Sequence, residues 1–98
     1  MKNNIQKIKK IISQNKKLLA QTYKVKNIGI FGSYVKGYAH KNSDVDILVD
    51  FYEIPDMFKF IELEYFLKKL LGRKVDLVTR KALKPIIKSD ILRETIYL

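Results

Sequence analysis

The chain contains no cysteine and no tryptophan, and it has only one histidine, two prolines and four glycines. Without cysteine it forms no disulfide and no thiolate zinc site, so we expect a protein of the reducing cytoplasm. The one histidine, His40, has no second metal-type side chain close by in the sequence, and we predict that it is a loop residue. No apolar run has the length of a bilayer, and lysines interrupt the N-terminal isoleucines. We therefore expect neither a membrane-spanning helix nor a secretory signal.

Acidic residues are also scarce, with 10 of them against 20 lysines and arginines and a formal net charge of +10. The first 26 residues contain eight lysines and no acid. Such a charge attracts nucleic acid or polyphosphate. It equally fits a solvated lysine face, because the basic residues are spread along the chain without an arginine-rich or aromatic patch. Nucleic acid is therefore an optional partner and not a required one.

The content of 47% hydrophobic and 31% charged residues is that of an ordinary globular protein, and the length predicts one domain over residues 1–98. A helix is predicted from the N-terminus to about residue 22, with isoleucines and leucines on one stripe and lysines opposite. A basic amphipathic helix could instead lie on a membrane surface, but this one has no aromatic anchor. The predicted stripe consists of Ile5, Ile8, Ile11, Ile12, Leu18 and Leu19.

Hydrophobic periodicity divides the rest of the chain into alternating strands and helices. The predicted elements are strands at 25–31, 44–51 and 74–79, a helical turn at 33–37, a helix at 55–71 and a final helix from Pro85 to about Arg93. Pro55 with Asp56 marks the start of the longest helix, and Gly72 marks its end. The apolar tail 96–98 should dock on the rest. This order predicts an α/β (α+β) fold, with a small mixed sheet flanked by helices.

Two aspartates one residue apart open the second strand. Asp44, Asp46, Leu48 and Asp50 share one face of this strand, and we expect only the opposite, apolar face to contact the core. Asp44 and Asp46 lie roughly 6 to 7 Å apart along the strand, where two carboxylates repel each other unless a cation lies between them. A divalent metal ion is the usual cation, because hard cations prefer carboxylate oxygens. Asp50 lies farther along and is predicted to belong to a loop or to the start of the next helix.

A third carboxylate, Asp76, belongs to the strand after the helical crossover. If that strand lies beside the Asp44 strand, the three carboxylates can bind two magnesium ions. Asp44 and Asp46 would hold the metals and a triphosphate, and Asp76 would complete the metal site near the acceptor and help to deprotonate an incoming hydroxyl. The alternatives are a solvated edge strand for the pair, and for Asp76 a surface acid paired with a neighbouring basic residue.

The turn at residues 32–37 precedes these acids and suits phosphate groups. Gly32 lets the backbone approach closely, the Ser33 hydroxyl can donate, and Lys36 can neutralise triphosphate oxygens. The spacing Gly-x-x-x-x-Gly is also that of a P-loop, but Tyr38 and Ala39 stand where that motif needs Lys and Ser or Thr. The turn and the acids together predict a nucleotide enzyme that uses a nucleoside triphosphate and magnesium.

The Gly-Ser turn at 32–33, the Asp-x-Asp at 44–46 and the later strand aspartate resemble the signature of the DNA polymerase β-like nucleotidyltransferase superfamily. The closest resemblance is to its minimal nucleotidyltransferase (MNT) branch, and it continues through 72–78 to the tail at 96–98. It implies the polymerase β-like nucleotidyltransferase fold and a two-magnesium transfer of a nucleoside monophosphate, usually AMP from ATP. Members of the branch commonly accompany a HEPN-domain toxin, an RNase, and act as its antitoxin by adenylylating one of its tyrosines.

One position departs from the branch, because Tyr34 stands where many members carry arginine, and a phenol cannot replace a guanidinium fork on phosphate. Two other functions remain open at this point. The chain could neutralise a toxin by binding and masking it, without catalysis. It could also direct its transfer to RNA, in which case RNA binding should fall steeply with salt.

Overall fold

The computed structural model describes residues 2–37 and 43–98, with side chains from residue 5 onward. His40, predicted to be a loop residue, lies outside the described residues. The helices are α1 (Lys2–Gln14), α2 (Lys16–Tyr23), α3 (Ser33–Lys36), α4 (Met57–Leu71) and α5 (Pro85–Glu94). The strands are β1 (Val25–Phe31), β2 (Val45–Phe51), β3 (Val75–Thr79) and β4 (Ile96–Tyr97). A short 3-10 turn, Arg80–Ala82, follows β3.

The four strands form one mixed sheet in the order β3-β2-β1-β4. β1 pairs antiparallel with both of its neighbours, whereas β2 and β3 run parallel and are joined through α4. The parallel pair requires a crossover connection, and α4 supplies it. This mixed sheet flanked by helices confirms the fold class predicted from the sequence.

The main core lies between one face of the sheet and helices α1, α2 and α4. Each of these elements contributes the apolar stripe that its periodicity predicts. The side chains buried most completely in this core include Ile12, Leu19, Ile28, Ile30, Ile47, Leu63 and Leu67. Leu18, predicted as part of the stripe, remains 41% exposed, because it lies at the margin of the helix face that packs.

The opposite face of the sheet was predicted to be polar, and this prediction is wrong for its centre. Leu48 is only 2% exposed and packs with Phe31 and Leu83 in a second, smaller core. Ile91 and Leu92 of α5 contact this cluster. Both faces of β2 are therefore apolar at the centre of the strand. The face that carries the aspartates is buried at Leu48, because α5 covers it there.

The predicted N-terminal helix is interrupted at Asn15, which separates α1 from α2. The Asn15 side-chain amide donates to the Ile11 carbonyl at 2.8 Å, and its backbone N–H donates to Ile12 instead of to residue 11. Asparagine competes in this way with the helical hydrogen-bond ladder. The prediction of one continuous helix is therefore wrong at this residue, although both halves are helical.

The C-terminal tail docks, as predicted, but it does so as a strand. β4 pairs with Gly29 and Ile30 of β1, and the Leu98 N–H donates to the Ile28 carbonyl at 2.9 Å. A Cβ on Gly29 would meet the Thr95 side chain, so the glycine allows this close approach. Within residues 2–37 and 43–98, no helix is both long and apolar enough to cross a membrane.

Candidate active site

Asp46 and Asp76 occupy equivalent positions on the two parallel strands. Each is the second residue of its strand, and the two are partners in the register of β2 and β3. Side chains of register partners point to the same face of a sheet, and neighbouring strands lie about 4.8 Å apart. The sequence-based expectation that acids from two separate strands approach each other is therefore met for this pair.

Asp44 lies one residue before β2 and is exposed to solvent. The Val45 N–H, the first of β2, donates to the Lys74 carbonyl at 2.9 Å, which aligns the starts of the two parallel strands. Among the described residues, no three histidine, cysteine, aspartate or glutamate side chains form a ready-made metal cage. The three aspartates thus lie at the same end of β2 and β3, but their side chains do not converge on one point.

The Gly-Ser turn lies directly against Asp46. Gly32 follows β1 with φ of 77° and ψ of −147°, a conformation that side-chain-bearing residues avoid. The Asp46 carboxylate fills the space that a Gly32 Cβ would need, and the Ser33 backbone N–H donates to this carboxylate. The absence of a side chain at residue 32 is therefore what allows the turn and the acid to touch.

A fourth acid, Glu94, completes the surroundings of the turn and was not predicted as a site residue. Its carboxylate accepts a hydrogen bond from the Gly32 N–H at 3.3 Å and pairs with the Lys36 ammonium at 3.2 Å. Glu94 is the last residue of α5 and lies 62 positions beyond Gly32 in the chain. No local sequence signal links residues so far apart, so only the folded chain reveals this contact.

The surroundings of the Asp46 carboxyl group disfavour its ionised form and raise its pKa. Burial, with the charges of Asp76 and Asp44 next in importance, raises its pKa from the ordinary value of 3.8 to about 6. Glu94 adds to the increase, and the Ser33 N–H opposes it. The negative charges of Asp76 and Asp44 repel a negative charge on Asp46, and a cation at this edge would relieve that repulsion.

This donor set fits a hard divalent cation. Carboxylate oxygens are the protein ligands that magnesium prefers. Magnesium commonly takes only one or two of them, and water and substrate phosphates fill its other coordination positions. A site that is completed by its substrate does not need three converged protein ligands beforehand. Asp44, Asp46 and Asp76 are the side chains that could hold such an ion.

Replacing Asp46 with asparagine should stabilise the ligand-free chain at neutral pH. The pKa is higher in the folded state than in the unfolded state, so ionisation of Asp46 costs folding free energy. This penalty is absent below about pH 4, grows as the pH rises towards 6 and is complete above it. For a half-buried group we expect about 1 kcal/mol after solvent screening, or a rise of roughly 4–8 °C in melting temperature.

Thermal melts in EDTA from pH 4 to pH 8 measure this effect. The gap between Asp46→Asn and the unmodified chain should open with rising pH and then stay constant. Asp50→Asn makes the same change on the same strand and controls for the substitution as such. A gap of equal size at pH 4 and pH 8 would contradict the electrostatic explanation.

Tyr34, the departure noted in the turn, packs inward. Its side chain is 6% exposed in the main core, and its hydroxyl accepts a hydrogen bond from Arg73 at 2.9 Å. The Arg73 guanidinium also lies over the phenol ring, 5.8 Å from its centroid. Tyr34 thus fixes α3 to the segment before β3 and does not face the acids.

Asp50 does not join the other aspartates. It lies near the far end of β2, within the strand and not in the predicted loop, where its carboxylate accepts from the Phe51 N–H. A cavity of about 350 Å³ is found at that end, lined largely by apolar side chains with Asp50, Thr79 and Arg80 among them. The cavity touches neither Asp46 nor Asp76, so the chemistry of the side chains, and not cavity size, locates the candidate site.

Comparisons with known proteins identify the family of this chain. The model of the nucleotidyltransferase domain family matches residues 5–98. The protein adenylyltransferase MntA of Thermococcus cleftensis is 52% identical over 93 residues, which cover 95% of this chain and 94% of the relative. The relationship thus extends over both chains nearly from end to end.

Solved structures give the same result. A candidate minimal nucleotidyltransferase has a TM-score of 0.75 and 31% identity, with 95% of this chain and 90% of that one covered. A toxin–antitoxin structure with AMP-PNP has a TM-score of 0.67 and 28% identity, covering 98% and 70%. The tri-AMPylated Shewanella oneidensis HEPN toxin in complex with its MNT antitoxin matches with a TM-score of 0.61 and 26% identity, covering 99% and 71%. The chain therefore belongs to the nucleotidyltransferase domain family and, within it, to the minimal nucleotidyltransferases.

Proposed function

We propose that this chain is a magnesium-dependent protein adenylyltransferase that transfers AMP from ATP to a tyrosine hydroxyl of a HEPN-domain RNase toxin and thereby acts as its antitoxin. The observation that carries the proposal is the in-register pair of Asp46 and Asp76 beside the Gly-Ser turn. The kinship with MntA, and with an MNT antitoxin found on an AMPylated HEPN toxin, supports the choice of nucleotide and partner. In this proposal residues 1–98 act as one minimal nucleotidyltransferase domain.

The proposed roles divide between metal and phosphate binding. Asp44, Asp46 and Asp76 hold the cations, two in number, which when bound supply positive charge for the phosphates and lower the pKa of the attacking hydroxyl. The phosphates fall to three residues of the turn. Gly32 offers its N–H without steric hindrance, Ser33 offers its hydroxyl, and Lys36 offers a mobile point charge. The contacts between the turn and Asp46 support a shared site for both groups.

The reaction exchanges a phosphoanhydride bond of ATP for a phosphate ester bond to the acceptor. The acceptor oxygen forms a bond to the α-phosphorus of ATP, and the bond from that phosphorus to the bridging oxygen of the β-phosphate breaks. Pyrophosphate leaves with the electron pair. A tyrosine hydroxyl has an ordinary pKa of about 10, so its proton must be accepted as the bond forms. Asp76 is exposed at the sheet edge beside Asp46 and would receive that proton.

Incubating the chain with its HEPN partner, labelled ATP and magnesium should place label on the partner. Intact-mass and fragment mass spectrometry should find one or more adenylate additions, each on a tyrosine. Chelation of magnesium by EDTA should remove the label, and tyrosine-to-phenylalanine variants of the partner should not accept it. Label on serine or on RNA, or label that persists in EDTA, would contradict the acceptor or the metal part of the proposal.

Neutralisation by binding is a second candidate, and one surface feature favours it. One side of α4 and the segment before it leaves large apolar side chains exposed, the clearest being Phe58 at 85%, Met57 at 75% and Tyr65 at 59%. Exposed apolar patches of this kind mark protein interaction sites. If cells that express the toxin grow equally well with the Asp44→Asn, Asp46→Asn double variant, masking and not transfer explains the protection.

A further inference from the structure

The side chain of Glu94 already makes the contacts that the proposed function reserves for nucleotide phosphates. One carboxylate oxygen accepts from the Gly32 N–H at 3.3 Å, and the other pairs with the Lys36 ammonium at 3.2 Å. The Glu94 side chain is only 21% exposed, whereas that of Lys36 is 51% exposed. The carboxylate thus binds the turn as an anionic ligand would.

The backbone of Glu94 is held at this position by the end of the chain. The Thr95 N–H and hydroxyl both donate to the Ile91 carbonyl, at 3.0 and 2.6 Å, which closes the last turn of α5. The next two residues then pair as β4 with β1, two positions before the turn begins. Because the backbone is anchored on both sides, Glu94 can leave the turn only by rotating its side chain.

We propose that Glu94 is an internal competitor of the nucleotide at the Gly-Ser turn, a residue that sets the affinity for ATP. The inference rests on the proposed function in that it takes this turn as the phosphate site. A phosphate and the Glu94 carboxylate cannot accept the same Gly32 hydrogen bond or neutralise the same Lys36 charge together. Binding therefore exchanges one anion for another, and Glu94 subtracts from the affinity.

Electrostatic repulsion from Asp46 and from the bound triphosphate makes this competition unfavourable for Glu94. The negative charge of Glu94 also helps to raise the pKa of Asp46. If the Glu94 carboxylate stayed at the turn when a triphosphate bound, it would repel the roughly four negative charges of that triphosphate. Glu94 should therefore swing away towards solvent in the bound state, and Lys36 should pass from the carboxylate to the phosphates.

The test compares Glu94→Gln with the unmodified chain by isothermal titration with AMP-PNP and, separately, with inorganic tripolyphosphate. Glutamine keeps a hydrogen-bond acceptor for Gly32 but removes the charge. We expect both probes to bind about tenfold more tightly, the scale of a partly buried ion pair with one added repulsion. The KM for ATP should fall by a similar factor without an equal rise in kcat.

Asp90→Asn is the matched control, because it removes one negative charge from the same helix at a side chain that is 75% exposed. It should change either affinity by less than about twofold. A double-mutant cycle adds a second measurement. Lys36→Met should weaken tripolyphosphate binding more in the Glu94→Gln background than in the unmodified chain, because Glu94 no longer occupies the lysine.

Weaker or unchanged binding by Glu94→Gln would overturn the inference, and weaker binding would make Glu94 a supporting residue of the nucleotide site. Absence of tripolyphosphate binding to both proteins would overturn it as well. Tighter tripolyphosphate binding without adenylate transfer to the toxin would leave the competitor in place and refute the proposed function. The two proposals can therefore fail separately.

Discussion

Replacing Asp44 and Asp46 together with asparagine is expected to reduce adenylate transfer by at least about a thousandfold. Asparagine has the shape of aspartate but no charge, so it cannot balance the cations that the transferred phosphate requires. Asp46 is the central acid of the group, since it neighbours Asp76 across the strands and also touches the turn. The measurement is the rate of label transfer from ATP to the HEPN partner at saturating magnesium.

The same change should leave the ligand-free fold intact or make it more stable, because it removes repulsion from a group whose pKa burial and its neighbours raise. Loss of activity combined with an unchanged or higher melting temperature is the pattern of a site that gives up stability for function. Asp50→Asn, at the other end of β2, should retain transfer. Substantial transfer by the double variant would show that these acids do not hold the metal.

Replacing Gly32 with alanine is expected to destabilise the chain by about 2–4 kcal/mol and to reduce transfer at least a hundredfold. Two effects add at this position. The backbone has φ of 77° and ψ of −147°, which strains any residue with a Cβ, and the new methyl group would collide with the Asp46 carboxylate. Either the turn or Asp46 must move, and both belong to the proposed site. Chemical denaturation and the transfer assay measure the two losses.

Gly72→Ala separates backbone strain from the collision. Gly72 also has a positive φ, 65°, but no atom outside its own neighbours lies within 4 Å of the position of its Cβ. It ends α4 and lies outside the proposed site, so its replacement should cost only about 1 kcal/mol and leave transfer unchanged. If both glycine variants lose the same stability and neither loses transfer, the contact between Gly32 and Asp46 has no catalytic importance.

Local chemistry was sufficient to predict the elements that carry their own signals. The Asp56 side chain accepts from the Lys59 N–H at 2.8 Å and starts α4, and Gly72 ends it in a left-handed conformation. The period-two alternation of β2 likewise indicated which residues share a face. Such signals depend on residues within a few positions of each other, so one sequence is enough to read them.

Sequence patterns gave wrong predictions where a segment distant in the chain packs on the residue concerned. The pattern of β2 places Leu48 on a polar face, but in the folded chain α5 covers that face. The tail pairs as a strand with β1 because Gly29 has no side chain to block it. The break at Asn15 had a local cause, the bond of its side chain to Ile11, but the apolar stripe on both sides concealed it. A hydrophobic pattern reports that a residue is buried but not which element buries it.

The amino-acid sequence by itself determined which chemical groups are available here: three aspartates in or next to two strands, a glycine-serine turn and a lysine, at spacings that place the chain among nucleotidyltransferases. The tertiary structure alone decided which of these groups meet. It placed Asp46 beside Asp76 through the parallel pairing of β2 with β3, turned Tyr34 into the core, and brought Glu94 to the turn from 62 residues away. Register between strands and the docking of a terminal helix depend on packing across the whole chain, and no short stretch of residues encodes them.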